Sequence, residues 1–414
     1  MVAGDPPERE PGKRLLVLGA GPAQLGLLAA ARARELYVIA VDRDASAPGF
    51  RYADRRAIVS TEDEPGVERL ASAERVDGLI APGIDWPVAI AARVAERLAL
   101  PHPLSPETGV LSTSKLRQRE RFAEAAVPQP AFEVCAGAKE ATQAAERIGF
   151  PCVVKAPDRQ GQRGLTLVQS TDEIAEAVKA ALAASRSATL LVEQHVPGRE
   201  VTVNAFSSGG HFQPLTVTDR LTAPLPAFGV ALTHAWPSEL EPAEIGAAVE
   251  AASAAARAVG IEDGPSYTQV LVGPDGPRVG ELAARLGGGH DAELCRVALG
   301  VDLNGAALSA ALGEDVAATS LAPRARVGGA CVRFLVAPPG VLREVSGLEE
   351  AFALEGIRGI RVYRRPGHRF GELRRGSDRA GAVLAVGDSR EEALKRADRA
   401  EAMIRFEVDV EALV

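Results

Sequence analysis

The stretch RLLVLGAGPAQLGLLAAARARELYVIAVDRD, residues 14–44, restricts the fold more than any other part of the chain. Leu15 to Leu18 form an apolar run without polar alternation, the pattern of a strand buried on both faces of a parallel sheet. A Gly19-Ala20-Gly21 turn, an Ala/Leu-rich helical segment and a second apolar run, Tyr37 to Val41, follow, and Asp42 ends the unit. This is the outline of a dinucleotide-binding unit, whose helix N-terminus can receive a pyrophosphate. The spacing departs from that fingerprint, because the third glycine is due at position 24, where Gln24 stands. A glycine turn alone is weak grounds for a nicotinamide dehydrogenase, and that reading accounts only for the N-terminal part. Gly19, Gly21 and Gln24 serve either a substrate anion or a tight structural turn.

The segments LYVIAVD, RAIVS and VDGLIAPG continue the strand–helix alternation as far as LPHPLSPETG, a Pro/Ser/Thr-rich boundary at 100–109. At 414 residues the chain is too long for one ordinary core. The patterning divides it into a loose acidic, proline-rich tail (1–13), a Rossmann-like region (14–111), a strand–helix region with a glycine loop (112–193), a region of longer strands (194–322) and a small α+β subdomain (323–414). Within the second region a helix is capped by Ser112 or Ser114 and stopped at Pro128. The expected fold class is therefore α/β and α+β multidomain.

A net charge of -8 with no basic block argues against nucleic acid or a membrane surface as partner. No long apolar stretch is free of charge or turn residues, so no membrane span is expected. Cys135, Cys152, Cys295 and Cys331 are scattered without C-x-x-C spacing, which supports neither a zinc site nor a disulfide framework. Free thiols suit a reducing cytoplasm.

The chemistry-bearing residues come in an order. Lys115 opens a helix, as a surface lysine or an anion ligand. Lys155 ends the apolar run PCVV, where a lysine needs an anionic partner. The loop DRQGQRG (158–164) is either a plain hairpin or a flap whose N–H groups close over phosphates. Glu193 ends another strand and Glu200 follows a tight turn. Gln269 and Glu281 lie on two strands joined by GPDG, which would set their oxygens side by side as ligands for a phosphate-bound Mg²⁺. Arg285, four residues on, could clamp a transferred phosphoryl group.

In this order the segments SKLRQRERFAEAAVP, FPCVVKAPDRQGQRGLTLV, LLVEQHVPGREVTV and VGELAARLGGGH, with the late DRAGAVLAVGDSREEA, resemble the ATP-grasp superfamily. The resemblance runs from about 14 to 410 and is nearest to carboxylate–amine ligases, including amino-acid ligases. It implies a Rossmann-like first domain, 112–193 as a central ATP-grasp subdomain with a lid, and 194–322 as the catalytic region. It further implies ATP and Mg²⁺ (or Mn²⁺) as cofactors, a small carboxylic acid and an amine or amino acid as substrates, an acyl-phosphate mechanism, a cytoplasmic setting and a homodimer.

Carried over by residue, Lys115 and Lys155 would hold phosphates, and the Gln160, Gly161 and Gly164 loop would be the lid. Glu193, Gln194 and Val196 would meet adenine and Glu200 the ribose. Gln269 and Glu281 would bind the metal, and Arg285, with Lys155, would be catalytic. His234, Gly288, Gly289, His290 and Arg333 are candidates for substrate contact. The RLGGGH turn (285–290) would face its N–H groups to the acyl centre. Arg333 is alternatively a strand-face ion-pair residue. Three features depart from the resemblance. Gln269 stands where glutamate is usual, Ala283 where asparagine is common, and Ala231 where an acid often precedes the histidine and could hold a substrate ammonium. The alternatives are a purine-pathway-type ligase on the same scaffold and a catalytically weak nucleotide-binding protein.

Overall fold

The computed structural model describes residues 12–409, so nearly all of the tail expected at 1–13 lies outside the described residues. The first sheet contains β1 (Arg14–Leu18), β2 (Tyr37–Val41), β3 (Arg55–Ala57) and β4 (Gly78–Ile80), in the order β3-β2-β1-β4. All its pairings are parallel. Leu15 and Val17 pack with Leu25, Leu28 and Ala31 of the helix Leu25–Ala33, while Leu16 and Leu18 pack on the other face with Val67, Ala71 and Val88. Burial on both faces is why the run lacks alternation, and each such side chain contributes roughly 1.5–3 kcal/mol.

The second sheet is antiparallel: β5 (Phe132–Cys135), β6 (Cys152–Lys155), β7 (Leu165–Val168) and β8 (Leu190–Gln194), ordered β5-β8-β6-β7. Cys152, Val154, Leu190 and Val192 face the helices Ala138–Ile148 and Ile174–Ala184. Strand alternation sends Val153, Lys155 and Glu193 to the opposite face, where a cavity opens.

The remaining strands are β9 (Arg199–Ser208), β10 (His211–Thr222), β11 (Ala231–Trp236), β12 (Gly264–Gly273), β13 (Gly276–Ala283), β14 (Gly329–Leu335), β15 (Gly340–Ser346), β16 (Ile357–Val362), β17 (Arg369–Phe370), β18 (Gly381–Gly387) and β19 (Arg405–Asp409). Eight of them form one sheet, β13-β12-β9-β10-β11-β14-β18-β16, and the other three a small sheet, β17-β15-β19. The boundary expected at 322/323 thus does not separate two sheets. β14, β16 and β18 extend the large one, because β14 pairs with β11 across a long chain separation that periodicity does not reveal. Ser114, not Ser112, caps the helix Lys115–Glu124, which ends before Pro128. No helix among the described residues is long and apolar enough to cross a membrane.

Candidate active site

Two adjoining cavities lie against this framework. One, of about 540 Å³, runs between the second sheet and the large sheet. The other, of about 450 Å³, runs between the large sheet and the C-terminal ends of the first sheet. Both are lined by Arg220, Gln269, Glu281 and the loop Arg159–Arg163.

In the larger cavity both lysines and Arg220 are paired with acids, whereas Arg159 and Arg163 of the glycine loop have no ion pair among the described residues. Lys155 Nζ lies 2.7 Å from Glu193 Oε2, and Arg119 donates to both oxygens of that carboxylate at 2.8 and 3.2 Å. Glu193 is only 4% exposed, which alone would raise its pKa, yet Arg119 and Lys155 hold it down to about 2. Burial lowers the Lys155 amine, and with Arg119 and Lys115 nearby it outweighs Glu193, leaving the amine at about 8. Lys115 Nζ donates to Glu281 Oε1 at 3.0 Å and to the Arg159 carbonyl at 2.7 Å. Burial would raise the Glu281 carboxyl, but Lys115 keeps it below the ordinary range. Arg220 pairs with Glu200.

Gln269 and Glu281 are direct cross-strand partners on β12 and β13. Gln269 Nε2 points to the Tyr267 hydroxyl at 3.3 Å, leaving its amide oxygen for other partners. Arg285 follows β13 and crosses to the first sheet's side, where Nε donates to Asp85 Oδ1 at 2.8 Å while Nη1 donates to the Leu286 carbonyl at 2.8 Å. Gln160 of the glycine loop accepts from the Asp85 backbone N–H, so the loop lies across both cavities. Gly161 (φ 67°) and Gly164 (φ 64°) take left-handed conformations that favour glycine.

The glycine turn after β1 serves itself. Gln24 donates to the Pro82 carbonyl at 2.6 Å, and its side chain lies against Gly19, Gly21 and Gly83. The amide thus fills the space over the turn.

Other expected residues are placed unevenly. His234 lines the smaller cavity and lies 3.1 Å from Asp291 Oδ1, off hydrogen-bond alignment. Gly288 and Gly289 line it too, and the Gly289 N–H is taken by Asp291 Oδ2 at 3.1 Å. A Cβ on Gly289 would stand 2.3 Å from the His234 ring, and one on Gly288 2.9 Å from the Gly83 carbonyl. Close packing explains these two glycines. His290 lines neither cavity: its ring is held between the Tyr363 hydroxyl at 2.6 Å and Glu293 at 3.0 Å. Arg333 also stays away, paired with Asp398 on the helix Arg390–Met403, so the strand-face alternative describes it. Gln194 and Val196 border the larger cavity.

Arg119, Asp85, Asp291 and Arg379 were not anticipated as site residues. Arg119 sits four residues after Lys115, one helical turn on the same face, which is a readable signal. Asp85 and Asp291 have none, since their partners are far away in sequence.

A glycine-loop sheet packed over a large antiparallel sheet, with lysines, paired oxygens and an arginine between them, is the arrangement of an ATP-grasp protein. Residues 115–319 match the family described as carbamoyl-phosphate synthase L chain, ATP binding domain, and residues 333–409 match L-amino acid ligase C-terminal domain 2. The L-amino acid ligase from Bacillus licheniformis superposes with a TM-score of 0.82 at 21% identity, covering 97% of this chain and 100% of that one. A Sinorhizobium fredii protein described as uncharacterized protein y4rH is 30% identical over 317 residues, 74% of this chain and 63% of that one. The D-alanine–D-alanine ligase of Bordetella pertussis is 33% identical over 125 residues, 30% of this chain and 39% of that one. The chain thus spans less than two thirds of the length of these curated relatives. It belongs to the ATP-grasp superfamily.

Proposed function

We propose that this chain is an ATP-dependent carboxylate–amine ligase that activates an acid as an acyl phosphate, joins it to an amine, and releases ADP and phosphate. The observation that carries this reading is the shared wall. Gln269, Glu281 and Arg220 border both a nucleotide-sized cavity and a second one, so a terminal phosphate and a carboxylate can meet there.

Val153, Leu165 and Leu271 offer an apolar slot for adenine beside Gln194 and Val196, with Glu200 near the ribose. Lys115 and Lys155 bind the phosphates. Gln269 and Glu281 suit a magnesium ion carried in by those phosphates. They supply two facing oxygens and one charge, and no three-residue acidic or histidine cluster suited to a metal exists among the described residues. Bound there, Mg²⁺ or Mn²⁺ would neutralise phosphate charge.

The substrate carboxylate oxygen bonds to the γ-phosphorus as the bond to ADP breaks. The amine nitrogen then bonds to the acyl carbon as the bond to phosphate breaks, and the proton the amine gives up goes to the departing phosphate. Arg285, fixed by Asp85, holds charge on the transferred group. The 159–163 loop keeps water from the acyl phosphate. The chain's part is positioning and neutralisation, so no protein nucleophile is required.

An ADP-release screen over pairs of acids and amines, with mass spectrometry of the products, tests this. Release that needs Mg²⁺, an acid and an amine is expected. ATP binding without release by any pair would leave a nucleotide-binding protein instead.

A further inference from the structure

The smaller cavity is bordered by eight arginines but only five carboxylates. Those carboxylates are already engaged. Asp85 holds Arg285, Glu281 holds Lys115 and Glu62 holds Arg186. Asp158 accepts from the Arg186 N–H and the Ser185 hydroxyl, and Asp42 from the Ala20 and Asp44 N–H groups.

Arg43, Arg159, Arg163, Arg364 and Arg379 border the same space and have no ion pair among the described residues; Arg159 is turned to the Ala184 carbonyl. Arg379 rests on the Phe334 ring at 3.7 Å and donates only to the carbonyls of Gly376 (2.7 Å) and Ala231 (3.3 Å). Arg364 donates only to carbonyls, and its Nε finds no partner. The two acids whose charge reaches Arg364 are bonded elsewhere, Asp44 to Ser46 and Asp378 to the Arg374 and Arg375 N–H groups. Burial lowers the pKa of the Arg163 guanidinium, and its neighbours Arg375, Arg159 and Arg43 add repulsion that Glu62 only partly offsets. Carbonyls satisfy N–H groups without cancelling charge, so an anion entering this cavity meets uncompensated guanidinium groups.

We infer that one substrate carries a second anionic group, a carboxylate or a phosphate, received by Arg364 and Arg379 with Arg43 and Arg163 at the rim. The inference rests on the ligase reading only for what happens at the substrate's other end. It also accounts for Ala231: where a substrate ammonium would need an acid, this chain offers a carbonyl already bonded to Arg379. A cation at that wall would be repelled.

The test uses three acids of equal length, butyrate, succinate and 3-phosphonopropionate, titrated calorimetrically into protein saturated with ADP. Saturation keeps the anions out of the phosphate-binding lysines. Succinate or 3-phosphonopropionate is expected to bind at least tenfold tighter than butyrate, and whichever wins identifies the group. Arg364→Ala and the exposed Arg43→Ala should each weaken that binding several-fold with ADP affinity unchanged. Arg379→Lys should weaken it less than Arg379→Ala. Equal binding of all three acids, no binding of either dianion, or variants identical to wild type would overturn the proposal. Failure of the ligase reading registers elsewhere, as ADP that does not bind or Lys155→Ala without effect on it. The titrations are then run without nucleotide and still decide.

Discussion

The two cavities share a wall yet handle charge in opposite ways. In the larger one, Lys115, Lys155, Arg119 and Arg220 are each matched to Glu281, Glu193 or Glu200 before any ligand arrives. In the smaller one, five of the eight bordering arginines have no ion pair among the described residues, and two of these, Arg159 and Arg163, belong to the loop that borders both cavities. Matched charges hold long side chains in place, so on the proposed reading a triphosphate would meet a preorganised set, and each lysine would exchange a carboxylate partner for a phosphate. Unmatched charges select an occupant by sign. One cavity is built for geometry, the other for charge.

The hardest blow to that contrast comes from the matched side. Lys155→Ala and Glu281→Ala are expected to cut ADP release roughly 10³-fold, the scale of losing a preorganised group at developing charge. Circular dichroism should stay native. Turnover at the wild-type rate in both would mean that the matched set is only structural.

Next in size, Arg119→Ala leaves Glu193 with one cation instead of two in a buried site. Its stability in denaturant should fall by about 3–5 kcal/mol. Little change would show that Lys155 alone suffices for Glu193.

Lys155 also gives a pH signature. Its folded pKa of about 8 lies below the usual 10.5, so the folded protein binds fewer protons between those values. Burial therefore costs stability below pH 8, and that cost is relieved as pH rises. Nucleotide binding runs the other way, because phosphate favours the charged amine. ATP affinity should weaken up to about tenfold per pH unit above 8, with proton uptake on binding seen by calorimetry in buffers of different ionisation enthalpy. Lys155→Ala should abolish the uptake.

A smaller shift is expected of Gln269→Glu, which adds a charge opposite Glu281. The Mg²⁺ concentration for half-maximal ADP release should fall several-fold; a rise would take Gln269 out of the metal site. Smallest of all, Gln24→Ala should cost about 1–3 kcal/mol of stability through the stranded Pro82 carbonyl and leave ADP release unchanged.

Much of this was readable before any coordinates. The GPDG turn forces β12 and β13 to pair and brings Gln269 near Glu281, although the turn's register alone would set Gln269 against Gly280 and a shift after Gln269 makes Glu281 its partner. Lys155 is the last residue of β6 and Glu193 the last but one of β8, and alternation turns both toward one face. What escaped reading is long-range. Arg119 meets Glu193 across 74 residues, and Arg285 meets Asp85 across 200. His290 and Arg333 looked available because nothing local announces Tyr363 or Asp398. The eight-strand order, with β14 beside β11, is hidden for the same reason.

By itself, then, the chain's order of residues determined the local elements, the cation–flap–carboxylate series and the superfamily, since periodicity, turns and short hairpins act over a few residues. Only the tertiary structure decided which charges are cancelled and which stay open. That depends on partners brought together by packing, and an arginine reads the same in sequence whether it meets a carboxylate or a carbonyl.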